Sequence, residues 1–234
     1  MPHTDFDIDS LAAYLHLTPP QVVRLADRDK LPGRKVSGEW RFSRAEIHHW
    51  LEDRIGLSDE EKLAEVEDVL ERSAPNTESR EISLAELLSI EAVAVPLQAR
   101  TRSSVITKMV DLAAETGLLW DPDKLAEAVR QREEMAPTAL ENGVALLHPR
   151  RPMPRILGQP FVALGCTNTG IPFGGRGPMT DIFFLVCSID DRGHLRTLAR
   201  LSRVLTQPDL LEGLRESPDA VAARAMIVNA EKSL

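Results

Sequence analysis

The chain has 234 residues, 43% of them hydrophobic and 27% charged, a balance that can bury a real core and excludes disordered and collagenous classes. Its formal charge of -8 disfavours indiscriminate nucleic-acid binding by the whole molecule, yet leaves room for a local basic face.

Met1 to Ser10 carries acids and lacks the basic and apolar regions of a secretory signal. No apolar run approaches the roughly 18 residues of a membrane span, so membrane insertion is not expected and the location is read as cytoplasmic. A first helix, Ser10 to Leu15, ends near His16 and Leu17. Thr18-Pro19-Pro20 then caps a second helix, Gln21 to Asp29, with the threonine oxygen receiving amides and proline fitting the first turn. That helix turns Val22, Val23, Leu25 and Ala26 inward and Gln21, Arg24 and Arg28 outward. Two short helices with a tight turn form a helix-turn-helix unit. After Leu31-Pro32-Gly33, the stretch Arg34 to Phe42 reads as two short strands around Ser37-Gly38, a hairpin wing. Ser43 caps a closing helix containing Ile47, Trp50 and Leu51, on which His48 and His49 are expected to face solvent. Between Arg24 and Arg44 the bases Arg24, Arg28, Lys30, Arg34, Lys35, Arg41 and Arg44 outnumber the acids Asp27, Asp29 and Glu39.

This order of elements, with Thr-x-x-x-Val-x-Arg, Leu-Pro, an aromatic-Arg wing and a Ser-capped helix ending in Trp-Leu, resembles the excisionase-like, MerR-related winged helix-turn-helix family. The resemblance implies DNA binding, with Gln21, Arg24 and Arg28 at the major groove and Arg34, Lys35 and Arg41 of the wing near phosphates. Ordinary surface charges used for protein contacts are the alternative. Readers of this kind bind paired half-sites, so a homodimer is expected.

The helical pattern closes on Gly56, placing the reader at residues 1–56. An acidic amphipathic helix, Ser58 to Arg72, follows, with Leu63, Val66, Val69 and Leu70 on one stripe and Ser58 as N-cap. That stripe packs on the same chain or on a second copy. Ser73 to Ser79 is polar and breaker-rich, the best linker in the sequence, so residues 57–80 form a connecting segment.

Residues 81–234 alternate strands with helices, which implies an α/β layer domain. Strands are expected at Ala92 to Leu97, Gly143 to Leu147, Phe161 to Gly165 and Asp181 to Cys187. Helices are expected at Ser103 to Thr116, Asp121 to Met135, His194 to Leu205, Pro208 to Arg215 and Pro218 to Asn229. Cys166 and Cys187 lie in apolar surroundings without a Cys or His at ligand spacing, and read as reduced core thiols rather than metal ligands. The glycine-rich Gly170 to Gly177 lacks the Lys-Ser/Thr of a phosphate loop and reads as a turn. His148 closes an apolar strand, and His194 opens a helix whose N-terminal amides favour an anion. Arg132 ends a helix, where it either clamps a phosphate bidentately or satisfies the helix dipole. Polar surface positions at loop edges are the alternative for both histidines.

The motifs Leu-x-x-Leu-Leu near the domain start, Arg132-Glu133-Glu134-x-x-x-Thr138, Asn142 to His148, Thr180 to Val186 and His194-Leu195-x-x-Leu198-Ala199-Arg200-Leu201 resemble the fructose/mannitol class of phosphotransferase-system enzyme IIA and its nitrogen-regulatory relatives. The resemblance implies a mixed sheet flanked by helices. It implies that His148 accepts a phosphoryl group from the histidine phosphocarrier protein and passes it to a IIB partner. It makes Arg132 and His194 the stabilising residues and requires no cofactor, because the donor is already an activated phosphohistidine. Two departures stand out. The family has proline before the histidine and small residues after it, whereas here Leu147 precedes His148 and Pro149-Arg150-Arg151-Pro152 follows. Family glycines before the strand are replaced by Ala139-Leu140-Glu141. A IIA-like regulator that couples phosphorylation to DNA binding is the expected function. A transport phosphocarrier with an accessory domain and a non-phosphorylated interaction scaffold are the alternatives.

Overall fold

The computed structural model describes residues 5–15, 17–57, 83–174 and 178–234. The chain divides into two units, Met1–Glu81 and Ile82–Leu234. The expected acidic helix Ser58 to Arg72 and linker Ser73 to Ser79 lie outside the described residues.

In the first unit, α1 (Ile8–Leu15) begins earlier than its sequence pattern implies, because Asp7 caps it. Ser10 N donates to Asp7 Oδ1 at 2.8 Å, and Asp7 N donates to Ser10 Oγ at 3.0 Å, a reciprocal box that satisfies two orphan amides. The hydrogen bonds from the Ser10 side chain and backbone hold the Asp7 carboxyl below its ordinary value. Helix α2 (Pro19–Ala26) opens from Thr18, whose backbone N–H donates to Gln21 Oε1 at 2.7 Å. It stops at Ala26 rather than Asp29. Lys30 N returns to Leu25 O at 2.9 Å and Asp29 takes a φ of 53°, so Arg28 sits in the turn that ends the helix. Val22 and Ala26 are buried, while Val23 and Leu25 are only half-buried. Trp50 Nε1 donates to Lys30 O at 2.8 Å and locks that turn.

Strands β1 (Arg34–Val36) and β2 (Glu39–Arg41) pair antiparallel as the wing. Ser37 and Gly38 have φ of 53° and 86°, the left-handed pair that a two-residue hairpin requires. Phe6 and Phe42 exchange backbone hydrogen bonds of 2.8 and 2.9 Å, closing the wing onto the chain start. Helix α3 (Arg44–Leu57) buries Ile47 and Leu51. His49 is exposed as expected, but His48 is buried, because helical spacing puts position 48 beside 47 and 51 on the inner face.

The second unit is a four-stranded mixed sheet flanked by helices, the α/β architecture that the strand and helix alternation implies. It starts with a short helix, α4 (Leu84–Leu87). The strands are β3 (Val93–Ala94), β4 (Val144–Leu147), β5 (Phe161–Ile171) and β6 (Thr180–Cys187), in the order β3-β5-β6-β4. β3 pairs parallel with β5, β5 antiparallel with β6, and β4 parallel with β6. β3 is shorter than the expected Ala92 to Leu97, since Ile90–Ala92 forms a 3-10 turn and Pro96 has no N–H for the ladder. β5 runs beyond its expected end at Gly165 and takes in Gly170 and Ile171, so those two residues are strand rather than turn.

Helices α5 (Arg102–Glu115), α6 (Pro122–Met135), α7 (Asp191–Val204), α8 (Leu210–Glu216) and α9 (Ala220–Lys232) complete the unit. A Cβ at Gly165 would stand 2.7 Å from Met109 Sδ and 2.8 Å from Leu97 Cδ2, so glycine there lets α5 approach the sheet. Cys166 and Cys187 are free and buried, as expected. Burial pushes the Cys166 thiol up to about 12 and raises Cys187 as well, leaving both protonated. Among the described residues no helix is long and apolar enough to cross a membrane.

Glu231 near the end of α9 closes the unit. It is 8% exposed, accepts from Leu84 N at 2.7 Å and Ala85 N at 3.2 Å, and pairs with Arg200 Nε at 3.3 Å. Replacing it by alanine strands two amides and a half-buried guanidinium. Urea unfolding of Glu231→Ala is expected to show a loss of about 2 to 4 kcal/mol in the second unit's stability.

Candidate functional site

Because β4 and β6 run parallel, with Leu147 opposite Leu185, both strands end at the same edge of the sheet. His148 follows β4 there. Ser188 and the start of α7, which carries His194, follow β6. The two imidazole centroids are 5.1 Å apart with planes tilted by 57°. His148 Nδ1 lies 2.7 Å from Leu146 O. A carbonyl oxygen only accepts, so Nδ1 carries the proton of the neutral ring and Nε2 holds the lone pair. His194 Nδ1 lies 3.2 Å from Ser188 Oγ. Both residues are buried, at 4% and 1% exposure.

The structure corrects one expectation about His194. Helix α7 begins at Asp191, one turn-portion ahead of the histidine, and Asp190 Oδ1 accepts from Gly193 N at 2.8 Å. A carboxylate from the chain itself therefore occupies the amide end that was expected to hold an anion.

Arg132 stands in the last turn of α6, 6% exposed, and its Nη1 donates to Ala136 O at 2.8 Å. It thus fills the helix-end role weighed for it. Beside it, Glu133 is 1% exposed and accepts from Thr138 N at 3.1 Å, from the Thr138 hydroxyl and from Arg102 Nη2 at 3.1 Å. This knot sets the chain that leads to β4, where Leu146 N donates to Thr138 O at 3.3 Å. Arg132 lines a depression of about 320 Å³ together with the Pro149 to Met153 segment. Neither histidine lines it. Met153 N donates to Ser188 O at 3.0 Å, so the segment after His148 is fastened to the residue whose hydroxyl meets His194.

The sequence pattern marks Thr138 with Glu133 in one motif but does not single out Ser188 or Met153. Ser188 carries no signal beyond ending an apolar run, and its two contacts come from elements far apart in the chain. Gly143, which opens the strand to His148, has a φ of 86°, and a Cβ there would stand 2.7 Å from Arg215 Nη2. Arg215 holds that turn, donating to Asp181 Oδ2 at 2.9 Å and to Asn142 O at 2.8 Å.

In the first unit, Arg24 and Arg28 are exposed, and with Asp27 they border a groove of about 730 Å³ whose apolar side includes Pro19, Pro20 and Val23. Gln21 is exposed, but its side-chain oxygen serves the start of α2 rather than standing free toward a base edge. Arg34 pairs with Asp5 at 2.9 Å, Lys35 with Asp27 at 3.8 Å and Arg41 with Glu39 at 2.8 Å. The Lys35 ammonium also lies 4.9 Å from the Trp40 ring centre. Exposed pairs of this kind are worth little.

The family model for the phosphoenolpyruvate-dependent sugar phosphotransferase system, EIIA 2, matches residues 86–230. The chain belongs to this family. A helix-turn-helix domain model matches residues 6–55. The nitrogen regulatory protein of Bradyrhizobium diazoefficiens is 29% identical over 148 residues, which cover 62% of this chain and 94% of that protein. The fructose-specific EIIABC component of Bacillus subtilis is 25% identical over 145 residues, 60% of this chain, and the chain spans only 22% of that relative's length. The mannitol enzyme IIA of Escherichia coli, solved in complex with phosphorylated enzyme IIB, shares the fold, with a TM-score of 0.55 at 16% identity over 61% of this chain and 99% of that one. The protein is thus an EIIA-type domain joined to a helix-turn-helix domain.

The hydrogen bond to Leu146 O sets which nitrogen of the neutral His148 ring carries the proton, and NMR can read it. Long-range ¹H–¹⁵N correlation at a pH where the ring is neutral is expected to show a protonated Nδ1 and a bare Nε2 for His148. The opposite tautomer would overturn this reading of the hydrogen bond to Leu146 O.

Proposed function

We propose that the EIIA-type domain accepts a phosphoryl group on His148 and that the helix-turn-helix domain reads DNA, so that phosphotransferase flux is coupled to transcription. The observation that carries this reading is the pair of imidazoles 5.1 Å apart at the strand ends, one of them held by Leu146 O with its Nε2 lone pair unprotonated. In the transfer, Nε2 attacks phosphorus in line as the N–P bond of the donor's phosphohistidine breaks and that imidazole departs with the bonding pair. The His148 Nδ1–H grows more acidic as Nε2 gives up electron density, so its bond to Leu146 O strengthens toward the transition state. Arg132 and His194 are the residues we assign to neutralising the equatorial oxygens. The phosphoryl donor is a histidine phosphocarrier protein. A IIB-type or regulatory protein is the onward partner, a role supported by the mannitol IIA relative having been solved with phosphorylated IIB.

Access decides between this reading and a second one. At 4% exposure His148 meets phosphorus only when its surroundings open, and we assign that opening to the Pro149 to Met153 segment that directly follows it. The same burial favours a non-phosphorylated EIIA-type scaffold acting through protein contacts. Incubation of the full chain with enzyme I, the phosphocarrier and phosphoenolpyruvate separates the two. The expected result is one acid-labile phosphate, absent in His148→Ala and formed about 100-fold more slowly in Arg132→Ala. Glycine at both Pro149 and Pro152 is expected to speed incorporation without removing its dependence on His148. No incorporation in any of these proteins would leave the scaffold.

For the reader, selection of duplexes from a randomised pool by the full chain is expected to enrich one sequence. Alanine at Arg24 and Arg28 is expected to relax that preference with at least about a tenfold loss for the selected site. Lys35→Ala is expected to weaken all duplexes alike and lower the salt slope by about one. Equal, wholly salt-suppressed binding to every duplex would defeat specific reading.

A further inference from the structure

The segment that departs most from the family pattern, Pro149-Arg150-Arg151-Pro152, also builds the wall of the 320 Å³ depression. Arg150 and Arg151 are exposed and make no ion pair with any described residue, whereas Arg102, Arg200 and Arg215 of the same unit are each matched to a carboxylate. Arg132, buried and with Nη1 on Ala136 O, and Gln131 line it from the α6 side, while Met135 and Met153 add apolar surface. Three arginines on one small concavity, with no carboxylate among the described residues that line it, set up a local positive potential in a chain of net charge -8.

The wall is also ordered. Both prolines fix their backbone angles, Met153 N is held by Ser188 O at 3.0 Å, Ile156 N by Met153 O at 3.1 Å, and Ile156 O accepts from Trp120 N at 2.8 Å. An ordered wall keeps the arginines together despite their repulsion, and such pre-organisation lowers the entropy lost on binding. Guanidinium forks match the oxygens of a phosphate, and several of them favour a dianion over a single carboxylate. The apolar surface asks for an organic remainder, and the volume is that of a small-molecule site.

We propose that this depression binds a small phosphorylated metabolite, independently of whether His148 accepts a phosphoryl group. The full-length protein can be titrated with inorganic phosphate, a hexose phosphate, phosphoenolpyruvate and a nucleoside diphosphate, following the backbone amide shifts of Gln131, Met135 and Met153. At least one organic phosphate is expected to saturate these shifts about tenfold or more tighter than inorganic phosphate, because only it covers the apolar surface as well. Alanine at both Arg150 and Arg151 is expected to weaken that binding about tenfold or more, and lysine at both to restore part of it. His148→Ala is expected to leave it unchanged, so failure of the acceptor reading and failure of this one are told apart. Inorganic phosphate binding as tightly as every organic phosphate would mean an adventitious anion only and overturn the proposal. Absence of saturation, or affinity unmoved by the double alanine variant, overturns it too. Saturation by a polyglutamate peptide alone would assign the arginines to an acidic protein partner and equally overturn it.

Discussion

Parallel pairing of β4 with β6 is the constraint on which the site depends. Antiparallel neighbours would send their ends to opposite edges. Here Leu147 faces Leu185, and the residues that follow each strand, His148 on one side and Ser188 with His194 on the other, emerge together. Ligand sites of open α/β sheets gather at the carboxyl ends of parallel strands for this reason. β4 is the edge strand of the sheet, so its register rests on β6, on the antiparallel bridge of Ala145 to Ala139 at its outer side and on the turn that feeds it.

That turn is held from two directions. Arg215 reaches from α8 to Asp181 and to the Asn142 carbonyl, fixing the approach to Gly143. Glu133 reaches from α6 to Thr138, whose own carbonyl receives Leu146 N. The carboxylate of Glu133 is almost wholly buried and takes three donors, so it is a buried charge made tolerable by saturation of its lone pairs and by Arg102. Removing any one of these ties leaves the imidazole on a strand whose end is free to swing. Catalytic geometry is sensitive to displacements of about 1 Å, so the ties matter to chemistry as much as to stability.

Much of this could be read from the sequence because local chemistry and tertiary demands agree. Thr18-Pro19-Pro20 opens a helix, Ser37-Gly38 turns a hairpin, and the apolar runs ending at Leu147 and Cys187 become buried strands. The misses have physical causes. Helix α2 stops short because Asp29 goes left-handed, a choice fixed by Trp50 bonding Lys30 O from another helix. His48 is buried since helical spacing sets it beside Ile47 and Leu51 on the inner face of α3. Asp190, adjacent to an obvious helix start, takes one of the amides, Gly193 N, that the sequence pattern offers to an anion. Ser188 and Met153 could not be found from composition or spacing, because their meeting is a product of the fold.

Two departures from the family pattern flank the buried His148. A proline at position 147 has no N–H and would end the ladder one residue earlier. Leucine carries β4 on to its pairing with Leu185, and its side chain is wholly buried. β4 ends at Leu147, Pro149 stands where the family has a small residue, and the segment that follows folds back until Met153 N bonds Ser188 O. The first change keeps residue 147 in the ladder, and the second places an ordered, arginine-bearing segment directly after the histidine.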